Sequence, residues 1–168
     1  MEKVGIFYGS STGNTESVAN EIQKILGDDI AQLIEVSDAN ASDLEKFSNL
    51  ILGSSTWGIG EMQDDFDVFL SQIEDANLEG KKVAIFGCGD QDTYADSFVD
   101  AIGIIYETIE NKNCDLIGKI STDGYNFDIS KAEKDNQLVG LAIDEENQSD
   151  LTNERIKNWV DQLKQEFN

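Results

Sequence analysis

The stretch FYGSSTGNTES, Phe7 to Ser17, decides how the chain folds. It joins the apolar run Val4-Gly5-Ile6-Phe7-Tyr8 to a segment, Thr15 to Leu26, in which Val18, Ile22, Ile25 and Leu26 recur at helical spacing. Gly27 then stands where a helix cap often falls. A buried-type strand, a short polar loop and an amphipathic helix make one step of an alternating α/β chain. The loop, Ser10-Ser11-Thr12-Gly13-Asn14-Thr15, sets four hydroxyls around one Gly and one Asn and holds no Lys or Arg. The first N–H groups of a helix lack intrahelical partners, and the helix dipole adds partial positive charge there. Hydroxyls and free N–H groups can therefore hold a phosphate without a Lys. A P-loop is excluded because no Lys follows Gly13. The loop is not GxGxxG either, which disfavours a dinucleotide. One Ser or Thr would serve as an ordinary helix cap; the surplus points to a phosphate-bearing ligand.

Outward from this loop the alternation continues. Strands are predicted at 30–36, 50–52 and 83–86, and a fifth begins at Leu116-Ile117-Gly118-Lys119-Ile120. Helices are predicted at 43–47, 66–73, 97–110 and 151–167, the last two carrying Phe98, Ile102, Ile105 and Ile109, then Ile156, Trp159, Val160 and Leu163 on one face each. Near-continuous apolar strands separated by helices mean a parallel sheet covered on both faces, a doubly wound three-layer α/β sandwich with five strands. One segment breaks the rhythm: 121–139 reads as an excursion that leaves the fifth strand and returns at Gly140-Leu141-Ala142-Ile143, a surface insertion. No repeat or linker is present, so the chain is read as one domain, 1–168.

In such a sheet ligands bind beyond the carboxyl ends of the strands, where the strand order switches. Two further loops reach that rim. Ser54-Ser55-Thr56-Trp57-Gly58-Ile59-Gly60-Glu61 places a Trp in a loop, where it needs a surface to cover. Gly87-Cys88-Gly89-Asp90-Gln91-Asp92-Thr93-Tyr94 brings a Tyr to the same rim. Two aromatics from two loops can enclose one planar ring, while adjacent glycines let backbone groups approach the ring edge.

Composition prunes the chemistry. The chain has no His, which removes His-based triads, most zinc sites and His-ligated haem. Its two Cys, Cys88 and Cys114, are too few for a common iron–sulfur cluster and form no disulfide framework; no metal is expected. With 34 acidic and 12 basic residues the formal charge is −22, which argues against nucleic acid and anionic membranes as partners. Lys and Arg are absent from 47–80 and from 83–111, while Glu61, Asp64, Asp65, Asp67, Asp92, Asp96 and Asp100 fall there, the pattern of one acidic face that steers basic partners. No apolar run approaches the ~20 residues of a membrane span, and no signal peptide is visible, so a cytoplasmic location is expected.

Taken together, GSSTGNTE, STWGIGEMQDDF, GCGDQDTYADSFVDAIG and STDGYNF with LVGLAIDEENQSDLTNERI resemble the long-chain flavodoxins, over the whole chain. Flavodoxin is itself a standard example of the switch-point rule. The resemblance implies a flavodoxin-like sheet of order 2-1-3-4-5, with the insertion in the fifth strand, and one tightly but non-covalently held FMN. It implies a low-potential one-electron carrier, a monomer rather than an enzyme, that shuttles electrons between basic redox proteins such as flavodoxin or ferredoxin reductases. Carried over by position, Ser10, Ser11, Thr12, Gly13, Asn14 and Thr15 would hold the phosphate. Trp57 and Tyr94 would flank the isoalloxazine, Gly58 and Ile59 would face its N5, and the backbone of Cys88, Gly89 and Asp90 would meet the pyrimidine edge. Ser55, Thr56 and Glu146 would lie near the ribityl chain. Cys88, Thr93 and Val99 depart from residues common in the family at these places. A receiver domain shares the topology but needs acidic residues where this chain has Gly9-Ser10 and Ser54. The alternative of an FMN-dependent NAD(P)H:quinone reductase would need a substrate pocket over the flavin.

Overall fold

The computed structural model describes residues 1–167. Its sheet is built from β1 (Val4–Gly9), β2 (Ala31–Glu35), β3 (Asn49–Trp57) and β5 (Lys82–Cys88). The last place is shared by two short pieces, β6 (Asp115–Leu116) and β10 (Leu141–Ile143), both parallel to β5. The order β2-β1-β3-β5-β10 reproduces the expected parallel succession, with the fifth strand split in two.

Side chains alternate between the two faces of each strand, and both faces are covered. Val4, Ile6, Ile51, Ala84 and Phe86 pack against α1 (Asn14–Leu26) and α5 (Thr152–Glu166) through Val18, Ile22, Ile156, Trp159 and Leu163. Phe7, Leu50, Leu52, Val83 and Ile85 face α3 (Asp64–Asp75) and α4 (Asp100–Ile109) through Phe66, Phe69, Ile73, Ile102 and Ile105. A short α2 (Ala41–Glu45) starts on Asn40, whose side chain accepts from the Asp43 N–H in a reciprocal capping box. No helix among the described residues is long and apolar enough to cross a membrane.

Four expectations change. First, β3 does not stop at Leu52 but runs to Trp57 and turns back as β4 (Glu61–Met62), pairing Thr56 with Met62 and Trp57 with Glu61. Ser54, Ser55 and Thr56 are buried strand residues, which their polarity disguised. Second, α4 starts at Asp100 rather than Ser97, because Val99 sits in the left-handed region with φ of +46° and the chain from Tyr94 to Ser97 is a turn. Third, Ile120 is not part of the fifth strand. With Ser121 it forms β7, which pairs with β9 (Gln137–Leu138), itself paired with β8 (Glu133–Lys134), in a separate three-stranded antiparallel sheet. Nor is the insertion only a surface excursion. Its Ala132, Leu138 and Val139 are buried in the α4-side core, and its backbone at Lys131 lies so close to α4 that a Cβ on Gly103 would stand 2.3 Å from it.

Candidate functional site

At the carboxyl ends of β1, β3 and β5 the molecule opens into a cleft of about 370 Å³, within the roughly 300–1,000 Å³ of small-molecule sites. The loop after β1 supplies Thr12 and Asn14; β3 and its turn supply Ser55, Thr56, Trp57 and Gly58; β5 and its loop supply Cys88, Gly89, Asp90 and Tyr94. Ser10, Ser11, Gly13, Thr15 and Ile59 do not line it, and Ile59 is 86 % exposed.

The first loop shows how its hydroxyls are used. The N-cap of α1 is Gly13, with φ of +96° and no side-chain cap, so none of the Ser or Thr residues serves as the ordinary cap. A glycine takes this conformation without the steric cost that other residues meet. Ser10 Oγ accepts from the Gly13 N–H at 3.1 Å, and Ser11 Oγ accepts from Gln63 Nε2 at 3.1 Å. A hydroxyl that accepts still has its own proton to give, so both remain donors for an anionic ligand. Thr15 is the exception: it is fully buried, and its hydroxyl pairs with Ser55 Oγ at 2.5 Å, tying α1 to β3.

The second wall is fixed by hydrogen bonds to the neighbouring helices. Thr56 Oγ1 accepts from the Ala101 N–H at 2.8 Å, which locks β3 to the start of α4. Gly58, at φ of +51°, has nothing within 4 Å of a built Cβ, whereas a Cβ at Gly60 in the same turn would stand 2.7 Å from Asp100 Oδ2. Gln63, fully buried, accepts from the Phe66 N–H at 2.9 Å through Oε1 and so caps α3. Sequence reading missed this residue, because a Gln carries no signal of burial until its partners are known.

The third wall holds Cys88 and Asp90. Burial, opposed by a hydrogen bond with Thr15 and helped by the nearby Glu145 and Asp144 carboxylates, pushes the Cys88 thiol up to about 12. It is therefore a neutral packing group and not a nucleophile. Burial works against the Asp90 carboxylate, yet hydrogen bonds from the Thr93 N–H and from Asn147 hold its pKa below the usual carboxylate range.

A fourth wall was only half foreseen. Glu145 and Glu146, from the loop after β10, line the cleft beside the first loop. Glu146 was expected there; Glu145 was not, because only the return of β10 to the sheet brings it to this rim. No Lys or Arg is among the lining residues. Among the described residues no cluster of Cys, Asp or Glu could hold a metal ion.

Asp100 departs from its expected place on the acidic face. It is buried, its Oδ1 accepts from the Lys131 N–H at 2.8 Å, and burial raises its pKa against that bond. Glu61, Asp64, Asp65, Asp67, Asp92 and Asp96 are exposed.

The chain is similar to known proteins over its whole length. The Flavodoxin family model matches residues 6–159. A flavodoxin of Nostoc sp. is 51% identical over 166 residues, covering 99% of this chain and 98% of that protein. Flavodoxin 1 of Escherichia coli is 46% identical over 168 residues, covering 99% and 96%. Among solved structures, Fusobacterium nucleatum flavodoxin bound to flavin mononucleotide superposes with a TM-score of 0.95 at 33% identity, over 100% of both chains.

Proposed function

This chain belongs to the flavodoxin family, and from that premise we propose that its cleft holds one FMN and that the protein passes electrons singly between redox partners. It is an electron carrier, not an enzyme. The observation that carries the site assignment is the cleft itself: an uncapped helix N-terminus at one end and two aromatic side chains, Trp57 and Tyr94, on its walls. Bound FMN supplies the one-electron chemistry on its isoalloxazine ring.

The residues present fit that group. Ser10, Ser11 and Thr12 give hydroxyl protons, and the first N–H groups of α1, from Asn14 and Thr15, give backbone donors to the phosphate. Trp57 and Tyr94 flank the ring, while the backbone of Cys88, Gly89 and Asp90 meets its pyrimidine edge. The turn at Gly58 and Ile59 stands at N5; Ile59 serves there through its backbone, since its side chain points to solvent. Ser55, Thr56 and Glu146 run beside the ribityl chain. Because Glu145, Glu146 and Asp90 line the cleft and no cation offsets them, negative charge added to the ring meets repulsion, which keeps the carrier at low potential.

The chain forms one FMN-binding domain over 1–168 and acts as a cytoplasmic monomer. Its partners are basic redox proteins, including reductases, that dock on the face carrying Glu61, Asp64, Asp65, Asp67, Asp92 and Asp96. The purified protein should be yellow and take up FMN in equimolar amount after the flavin is removed. Its electron transfer with a basic reductase should slow as salt rises above ~0.1 M, because screening shortens the reach of the acidic face. Failure to take up FMN overturns the cofactor assignment; a salt-independent rate overturns the docking face.

A further inference from the structure

A fully buried carboxylate stands behind the cleft without lining it. Asp144 follows β10 and has no exposed surface. Its Oδ2 accepts from the Gln91 N–H at 3.0 Å, from Gln91 Nε2 at 2.8 Å and from Asn147 Nδ2 at 2.9 Å. Its Oδ1 accepts from the backbone N–H groups of Glu146 at 3.1 Å and Asn147 at 3.0 Å. A buried charge is tolerated only when its acceptor positions are filled, and here N–H donors from two loops fill them. Gln91, 2 % exposed, passes the tie onward: its Oε1 accepts from the Asn126 N–H of the insertion at 2.5 Å. Asn147 closes the ring by donating to Asp90 Oδ1 at 2.8 Å. The insertion adds two more bonds to the same loop, from the N–H groups of Asp128 and Ile129 to the Ala95 carbonyl at 2.8 and 3.0 Å.

We propose that Asp144 is a positioning residue for the flavin. Through Gln91 it locks the loop after β5 against the loop after β10 and against the insertion, so that Gly89, Asp90 and Tyr94 stand in binding geometry before FMN arrives. This rests on the FMN assignment above and adds to it the group that preorganises the ring-binding side. The core strands gain nothing from the lock: every donor to Asp144 lies in a loop. Preorganisation raises affinity by removing an ordering cost from the binding step.

Asp144→Asn tests it. Both carboxylate oxygens face N–H donors, so an amide sets its own NH2 against a donor whichever way it turns. In FMN-free protein, amide hydrogen exchange over 89–97 should speed at least about tenfold, while amides of β1 and β3 keep wild-type rates. The Kd for FMN should rise at least about tenfold, and the visible circular dichroism of the bound flavin should change as the ring's surroundings loosen. Gln91→Met should act in the same direction, and the double variant should lose less FMN affinity than the two single losses combined, because the two residues share the Gln91–Asp144 bond. Should Asp144→Asn fail to fold, Gln91→Met carries the same three measurements. Unchanged exchange over 89–97, uniform acceleration through β1 and β3, or a wild-type Kd for FMN overturns the proposal. If the wild-type protein itself does not bind FMN, the cofactor assignment falls, while the exchange pattern of the FMN-free protein still decides whether Asp144 holds the loop.

Discussion

The loop after β1 and the loop after β5 leave the same edge of the sheet, yet the first keeps Ser11, Thr12 and Asn14 exposed while the second buries Gln91 against Asp144. The first loop has few side-chain bonds: Ser10 accepts one from Gly13 within it, Ser11 accepts one from Gln63, and Thr12 lines the cleft. The second is held by Asp144, by Asn147 and by the insertion. The difference teaches how a loop acquires order. An exposed polar loop meets water or a ligand at little cost, so its donors can be kept for a phosphate. The second loop takes its order from buried bonds, and on the proposed FMN assignment these hold it in shape before the ligand arrives.

Three substitutions test this contrast. Gly103→Ala should have the largest effect, because its new Cβ would push the Lys131 backbone off α4 and slacken the insertion that braces the second loop. A loss of about 1–3 kcal/mol is expected, the usual scale for overpacking, read from urea denaturation of the FMN-free protein. A loss below about 0.5 kcal/mol would show that the insertion moves freely and braces nothing. Thr12→Ala should divide affinity from stability. Unfolding free energy should stay within about 0.5 kcal/mol of wild type, while the Kd for FMN rises about tenfold, some 1.4 kcal/mol. If stability falls as far as affinity, the first loop is not the bare element described above. Gly58→Ala tests the turn that follows Trp57, at a position with open space around it. Holding an alanine at φ near +51° should cost about 1 kcal/mol. Potentiometry should show the two one-electron potentials drawing closer as the turn loses its freedom toward flavin N5; unchanged spacing would remove that role.

Much of the site was legible because its signals are local. Thr12 and Asn14, which line the cleft, belong to a hydroxyl-rich loop between an apolar strand and a helix, whereas Ser10, Ser11, Gly13 and Thr15 of the same loop do not line it. Trp57 and Tyr94 were legible because an aromatic outside any periodic element asks for a surface. The second wall was harder. Ser54, Ser55 and Thr56 look like loop residues, yet they extend β3 because Thr15 and Ala101 complete the hydrogen bonds of two of their hydroxyls. Asp100 looked like one more surface acid in an acidic run, and only the Lys131 N–H reveals its burial. Asp144 gave no signal at all: within LAIDEENQ it is one of three successive acids.

By itself the sequence determined the succession of apolar strands and amphipathic helices, the parallel sheet that follows from it, and the edge of the sheet at which the cleft opens. These depend on residue periodicity and on groups a few positions apart, and short-range physics is written directly in the chain. Only the tertiary structure decided which polar residues are buried and what they hold: Gln63 on Ser11, Asp144 on Gln91, Asp100 on the Lys131 N–H. A polar side chain is burdened or useful in the interior according to its partner, and that partner here lies 31 to 53 residues away. No local pattern encodes a pairing at that distance; it exists once the sheet has brought the loops to one edge.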